Sequence, residues 1–235
     1  MSSNNPNTNP NITEIATLIG DPSRIAMLIS LLGGKSLPAG ELARAAQISP
    51  QTASSHLTKL VEGGLLVSEY YGRHKYFRLA GSEVAHALEA LQAIAPSKPV
   101  RSLRESDRLK ALHFARTCYD HLAGKIGVAL TDKLMELKLI EQSGKDFILS
   151  EAGRKKLIAF GVEVDGTTGT RRHFARQCLD WSERRHHLAG SLGAALTRRL
   201  FELKWLEHLP DSRAVRVTEV GTRGFAEEFG LMDIQ

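Results

Sequence analysis

The sequence predicts a mainly α-helical protein with small β-hairpins, an α+β fold in two parts. Three observations predict it. Apolar residues recur at helical spacing between marked caps in the first hundred residues. Short β-branched and aromatic runs flank a glycine turn near residue 72. Beyond residue 106 the chain repeats its own pattern, which predicts a C-terminal tandem repeat of helix–helix–hairpin units. The expected organisation is a disordered tail at 1–11, an N-terminal domain at 12–95, a linker at 96–106 and a duplicated domain at 107–235. The repeats are expected at about 107–165 and 166–235.

The tail is an Asn/Pro/Ser tract with too little apolar surface to fold. Ile12, Ile15, Ala16 and Ile19 then give a first helix. Asp21 caps a second and Pro22 opens it, with Ile25, Leu28, Ile29 and Leu32 as its buried stripe and Gly33-Gly34 as its end. A short helix from Ala39 to Gln47 points Leu42 inward. Ser49 caps and Pro50 opens the next helix, which runs to about Glu62 and stops at Gly63-Gly64. Leu65-Leu66-Val67 and Lys75–Leu79 read as strands around a Tyr71-Gly72-Arg73-His74 turn. A helix over 82–94 follows, with Val84, Ala87, Leu88, Leu91 and Ala95 as its stripe, and Pro96 and Pro99 mark the linker.

The segment ELARAAQISPQTASSHLTKLVEGGLL carries the main functional signal. Ala43 is small enough for tight helix contact, and Ile48 plugs the turn. Ala53, Leu57, Leu60 and Val61 hold the second helix to the first. Gln51, Thr52, Ser54, Ser55, His56, Thr58 and Lys59 are left pointing outward. These are short or amide hydrogen-bonders with one cation, chemistry suited to base edges and phosphates in a major groove. The first turns of such a helix meet the bases, so Gln51, Ser54, Ser55 and His56 are candidates for base readout and Lys59 for phosphate, with Thr52 on the same DNA-binding surface. Arg73, His74 and Lys75 form a basic tip on the following hairpin. Helix, turn, helix and hairpin in this order describe a winged helix-turn-helix that binds double-stranded DNA.

Here the sequence resembles the ArsR-type bacterial transcriptional regulators. IATLIGDPSRIAMLISLL resembles their opening helices, ISPQTASSHLTKLVEGGLL their recognition helix and YYGRHKYFRLA their wing, over about residues 12–95. The resemblance implies a homodimeric repressor that binds a palindromic operator and leaves it when an effector arrives. It also implies a dimer interface made by the first helix and by 82–94. Many family members carry a Cys-x-Cys metal site before the recognition helix, but Ser36-Leu37-Pro38-Ala39-Gly40 holds no thiol. Of another family site only His86 and Glu89 are present, and they read as a solvated polar pair.

The C-terminal half repeats in detail. His113-Phe114-Ala115-Arg116-x-Cys118-x-Asp120 returns 60 residues later as His173-Phe174-Ala175-Arg176-x-Cys178-x-Asp180. His121-Leu122-Ala123-Gly124 returns 66 residues later as His187-Leu188-Ala189-Gly190, so the second copy gains the six residues WSERRH. Gly127 and Gly193 allow close helix contact, and the pairs Thr131-Asp132 and Arg198-Arg199 offer opposite charges to a symmetric arrangement. Cys118 and Cys178 occupy equivalent positions, and several readings compete. They are small buried hydrophobes; or a soft-metal, haem or thiol-redox sensor with His113, Arg116, His121, His173, Arg176 and His187, whose cations would lower the thiol pKa; or, with His and Asp, the nucleophile of an enzyme fused to a helix-turn-helix. A small-molecule pocket in which His and Arg bind an anion is the remaining reading. His186-His187 with His173 shows no recognisable zinc spacing, and Trp181 and Trp205 read as core or interface.

Composition narrows the class. A 42% hydrophobic share supports a real core, and no apolar run reaches the roughly 18 residues of a membrane span. MSSNNPNTNPN lacks a basic and an apolar region, so no signal peptide is expected. Two cysteines make no disulfide framework, which points to a reducing cytoplasm. The net charge is +5, yet residues 12–95 balance seven basic against seven acidic side chains. Bulk charge therefore does not indicate DNA binding; the ordered motif does. The expectation is a cytoplasmic, dimeric DNA-binding regulator that is not an enzyme, with no membrane partner and an unidentified effector.

Overall fold

The computed structural model describes residues 9–96, 99–100, 102–164, 173–210, 212–232 and 234. Most of the expected tail, part of the expected linker and the expected repeat boundary lie outside the described residues. The chain forms two compact units, Met1–Leu31 with Lys35–Val84, and Leu32–Gly34 with Ala85–Gln235.

The first unit opens with α1 (Ile12–Ile19) and α2 (Pro22–Ser30). Asp21 caps α2 by accepting from the N–H groups of Ser23 and Arg24, and Pro22 takes a first-turn place where no N–H is needed. β1 (Leu37–Pro38) leads into α3 (Ala39–Ala46), which ends on Gln47 in the left-handed conformation at φ 55°. α4 (Pro50–Glu62) starts at the Ser49 cap. β2 (Leu66–Tyr71) and β3 (His74–Leu79) form the hairpin, closed by the pair Tyr71 and His74. β1 adds to β3 as a third strand that the sequence did not announce. The core holds Met27, Leu28, Leu42, Ala43, Ala53, Leu57, Leu60, Leu66, Phe77 and Leu79.

α5 (Ser82–Ile94) has the expected span but a different buried face. Ala85, Leu88, Glu89 and Ala93 are buried, whereas Ala87, Leu91 and Ala95 of the expected stripe are exposed. The buried face is turned one step from the expected stripe, because a buried glutamate breaks the apolar pattern.

The second unit begins with α6 (Leu103–Phe114), capped by Ser102, so the last residues of the expected linker are helical. Then come β4 (Arg116–Cys118), β5 (His121–Ala123), α7 (Gly124–Glu136), β6 (Ile140–Ser143), β7 (Asp146–Leu149) and α8 (Glu151–Ala159). β8 (Arg176–Leu179), β9 (His186–Ala189), α9 (Gly190–Glu202), β10 (Leu206–His208), β11 (Val215–Val217) and α10 (Glu219–Phe229) follow in the same order. Each stretch therefore runs hairpin–helix–hairpin–helix, not helix–helix–hairpin. The reason lies in the Leu-Ala-Gly signature. Gly124 and Gly190 take φ near +81° and +80°, turning the chain sharply from strand into helix. A Cβ on Gly190 would lie 2.7 Å from the carbonyl oxygens of His173 and Phe174, so only glycine fits this corner.

The two stretches exchange hydrogen bonds. The N–H of Leu122 donates to Thr197 Oγ1 at 2.9 Å, and that of Leu188 donates to Thr131 Oγ1 at 2.9 Å. Asp132 pairs with Arg185 at 2.7 Å, and Arg199 with Glu202 and the Phe160 carbonyl, so the expected opposition of these charges is not formed. Ile126, Leu130 and Leu134 of α7 and Leu192, Leu196 and Leu200 of α9 share one core. Trp205 closes it against Phe160, Phe225 and Phe229.

Deep in this unit Arg116 and Asp180 form an ion pair at 2.9 Å with no exposed surface on either side chain. Asp180 also accepts from the Gly124 N–H at 2.7 Å and from the Ser182 N–H and hydroxyl at 2.9 and 2.7 Å. Arg116 donates to the Leu112 carbonyl and lies over the Trp181 ring, 4.5 Å from its centroid. Asp180→Ala strands a buried guanidinium, and urea unfolding of this variant is expected to show a loss of about 3–5 kcal/mol.

Candidate functional site

α4 presents one buried and one open face. Ala53, Leu57 and Leu60 are buried, while Gln51, Thr52, Ser54, Ser55, Thr58 and Lys59 are exposed. The expected outward row is therefore a continuous polar surface on a capped helix. Two members are partly engaged. Thr52 Oγ1 lies 2.8 Å from Ser49 Oγ within the cap. His56 is half-buried, its Nδ1 3.3 Å from Arg24 Nη1, and Arg24 is itself fixed by the carbonyls of Thr17 and Leu18. At the hairpin tip Arg73, His74 and Lys75 are all exposed. Lys75 Nζ leans over the rings of Tyr70 and Phe77, 5.8 and 5.4 Å from their centroids, while Arg78 is spent on Glu69 at 2.7 Å.

The second unit gathers four of the eight sequence candidates into one cluster. Cys118 faces His121 across the β4–β5 hairpin, and Cys178 faces His187 across β8–β9. Directly opposed residues of an antiparallel pair share one face. β5 packs on β9, which brings the two faces together. The Sγ atoms stand 3.9 Å apart and the His121 and His187 Nε2 atoms 3.1 Å apart. One ligand atom from each residue falls within 4.8 Å of all the others, and all four residues are buried. The six-residue difference in spacing is taken up by the longer connection between β8 and β9, which leaves the cross-strand pairing unchanged.

Carboxylates back both imidazoles. His121 Nδ1 lies 3.4 Å from Asp120 Oδ1, and His187 Nδ1 lies 3.3 Å from Asp180 Oδ2. Burial works to raise the Asp180 pKa, but His187 and Arg116 beside it outweigh burial and hold it well below the usual carboxylate range. For His187 burial works against the charged form, yet the Asp180 carboxylate and the Cys118 sulfur raise its pKa. The Cys118 thiol is pushed up, first by the hydrogen-bonded Cys178 sulfur and then by burial. The sequence expectation that Arg116 lowers a thiol pKa is corrected, because the guanidinium is turned onto Asp180. A protonated, enclosed thiol is a poor nucleophile but becomes a strong ligand once a metal displaces its proton.

The other candidates lie apart from the four donors. Half-buried His113 meets the Trp181 ring edge-on at 5.0 Å, and exposed His173 sits 3.8 Å from Asp146. Arg176 lines a cavity of about 280 Å³ together with Cys178, Leu179, His86, Glu89 and Ala93. His86 and Glu89 are not a solvated pair. Glu89 is 1% exposed and holds Arg213, and the His86 ring lies 6.2 Å from that of His121. Sequence reasoning missed this, because Arg213 lies 124 residues from Glu89. The Cys-x-x-His spacing at 118–121 was the available signal for the cluster: across a two-residue turn its ends become partners.

A family model described as a helix-turn-helix domain matches residues 19–69. The chain is 47% identical over 223 residues to the uncharacterized HTH-type transcriptional regulator YdfF of Bacillus subtilis, covering 95% of this chain and 99% of that one. It is 35% identical over 80 residues to the HTH-type transcriptional regulator CmtR of Mycobacterium tuberculosis, covering 34% of this chain and 67% of that one. Among solved structures, the homodimeric winged helix-turn-helix domain of Mb0332 from Mycobacterium bovis, a possible ArsR-family regulator, is 26% identical, with 35% of this chain and 76% of that one covered at a TM-score of 0.33. With the winged helix-turn-helix in place and a full-length relative of the same kind, the chain belongs to the ArsR family of DNA-binding transcriptional regulators.

Proposed function

We propose that the protein is a homodimeric repressor that holds a palindromic operator with α4 and the hairpin tip and leaves it when an effector reaches the C-terminal unit. The observation that carries the DNA half is the open face of α4, with Gln51, Ser54 and Ser55 exposed in its first two turns. Those side chains would read base edges, while Lys59, Arg73 and Lys75 would hold phosphates. Thr52 and His74 flank the same surface, and His56 acts on it from its contact with Arg24.

Exposed apolar side chains support the dimer. Ile12 is 75% exposed on α1, and Leu91 and Ile94 are 40% and 79% exposed on α5. A second copy covering these faces would remove from water what a monomer leaves open. The C-terminal unit reads as two copies of one ancestral element, joined head to tail and sharing one core. A reducing cytoplasm suits its free thiols.

Gel shifts on the DNA upstream of the protein's own gene test the reading. Gln51→Ala should lose about 1–3 kcal/mol of discrimination at one operator position and leave other positions alone. Arg73→Ala should weaken every sequence alike and lower the salt slope by about one. Sequence-independent binding in the unaltered protein rules out the assignment of α4 to base readout. Ile94→Asp should shift the protein from dimer to monomer in sedimentation velocity; an unchanged dimer places the interface elsewhere.

A further inference from the structure

We propose that Cys118, His121, Cys178 and His187 bind a single thiophilic divalent cation of the zinc type, and that this ion is the effector of the C-terminal unit. The proposal rests on the regulatory reading above only for that second step.

Four features of the cluster point to an ion. The first is the donor set: two thiols and two imidazoles, the tetrahedral S₂N₂ combination that selects zinc-like metals. The second is size. For metal–sulfur and metal–nitrogen bonds of about 2.3 and 2.05 Å, a tetrahedron has a sulfur–sulfur edge of about 3.8 Å and a nitrogen–nitrogen edge of about 3.3 Å. The observed separations are 3.9 and 3.1 Å. Such a space takes one ion and not a porphyrin. The third is the backing of both imidazoles. Asp120 and Asp180 lie beside the Nδ1 atoms and favour the proton there. The two Nε2 atoms approach to 3.1 Å inside the fold, close enough to share one proton or one cation. The fourth is access. Cys178 lines the 280 Å³ cavity that reaches α5, which gives the ion a way in.

Binding is charge-balanced. The ion brings two positive charges, each thiol releases one proton to solvent, and the resulting centre with two neutral imidazoles carries no net charge. A neutral centre suits a buried site. Half of the ligands come from each hairpin, so the ion ties β4–β5 to β8–β9. The His86 ring lies 6.2 Å from that of His121, so α5 borders the site and is the element through which a change of ion occupancy would pass.

The test uses the full-length protein, stripped by chelation under reducing conditions and titrated with cobalt(II). The expected result is one cobalt per chain, with the visible bands of a tetrahedral ion and a thiolate-to-metal charge-transfer band, all bleached by zinc. Cys118→Ser and Cys178→Ser should each abolish the charge-transfer intensity of the four-ligand site or reduce it to that of one thiolate. Asp120→Asn, on the more open side of the cluster, should bind about 10–100-fold more weakly, and His173→Gln should bind as the unaltered protein does. Octahedral spectra, bands that survive both serine variants, or a Cys118–Cys178 disulfide that persists in reductant would overturn the site. Operator gel shifts then compare stripped and zinc-loaded protein, with an expected change in affinity of at least about fivefold. Operator binding unmoved by zinc overturns the effector role. Failure to bind the operator in either state overturns the DNA-binding reading and leaves the metal site standing on the cobalt data.

Discussion

The C-terminal unit depends on the ion pair of Arg116 with Asp180. Removing two charges from water costs several kcal/mol per ion, which close pairing and further hydrogen bonds offset. Here the partners are the structure itself. Asp180 accepts from the Gly124 corner and from the Ser182 turn, and Arg116 reaches the Leu112 carbonyl and the Trp181 ring. The pair thereby fixes α6, the first hairpin, the start of α7 and the second hairpin against one another. Asp180 also stands behind His187, so the same carboxylate that holds the fold orients a side chain of the buried cluster.

The two units use polar groups in opposite ways. In the first, polarity is on the outside: a capped helix keeps a row of uncharged hydrogen-bonders exposed, and its buried residues are apolar. In the second, polarity is inside, with Arg116, Asp180, His121, His187, Thr131 and Thr197 all buried. Exposed uncharged donors and acceptors are suited to reading a partner that brings its own hydrogen-bonding edges. Buried polar groups held by several neighbours are suited to keeping one geometry closely, which a small ligand or ion demands.

Much of the first unit was legible in the sequence because its signals are local. Asp21 with Pro22 and Ser49 with Pro50 announce helix starts within two residues, and Gly72 announces the hairpin. The phase of α5 was not legible, since Glu89 is buried by Arg213, a partner far along the chain. In the second unit the cysteines and histidines were visible as repeated residues, yet their spacings differ, three residues in one copy and nine in the other, so no common geometry followed from them. Once Gly124 and Gly190 are seen as strand-to-helix corners, each Cys and His becomes a cross-strand pair. The meeting of the two pairs rests on contacts some sixty residues apart, which no local pattern encodes.

The exchanged threonine bonds have a consequence for how this unit is held together. Leu122 and Leu188 each give a buried backbone N–H to a hydroxyl owned by the other stretch. A buried donor left without an acceptor costs about 1–3 kcal/mol, so in the intact unit neither hydroxyl can be lost without penalty. The unit is thus laced through its middle from both sides, each stretch holding the acceptor that the other's backbone needs.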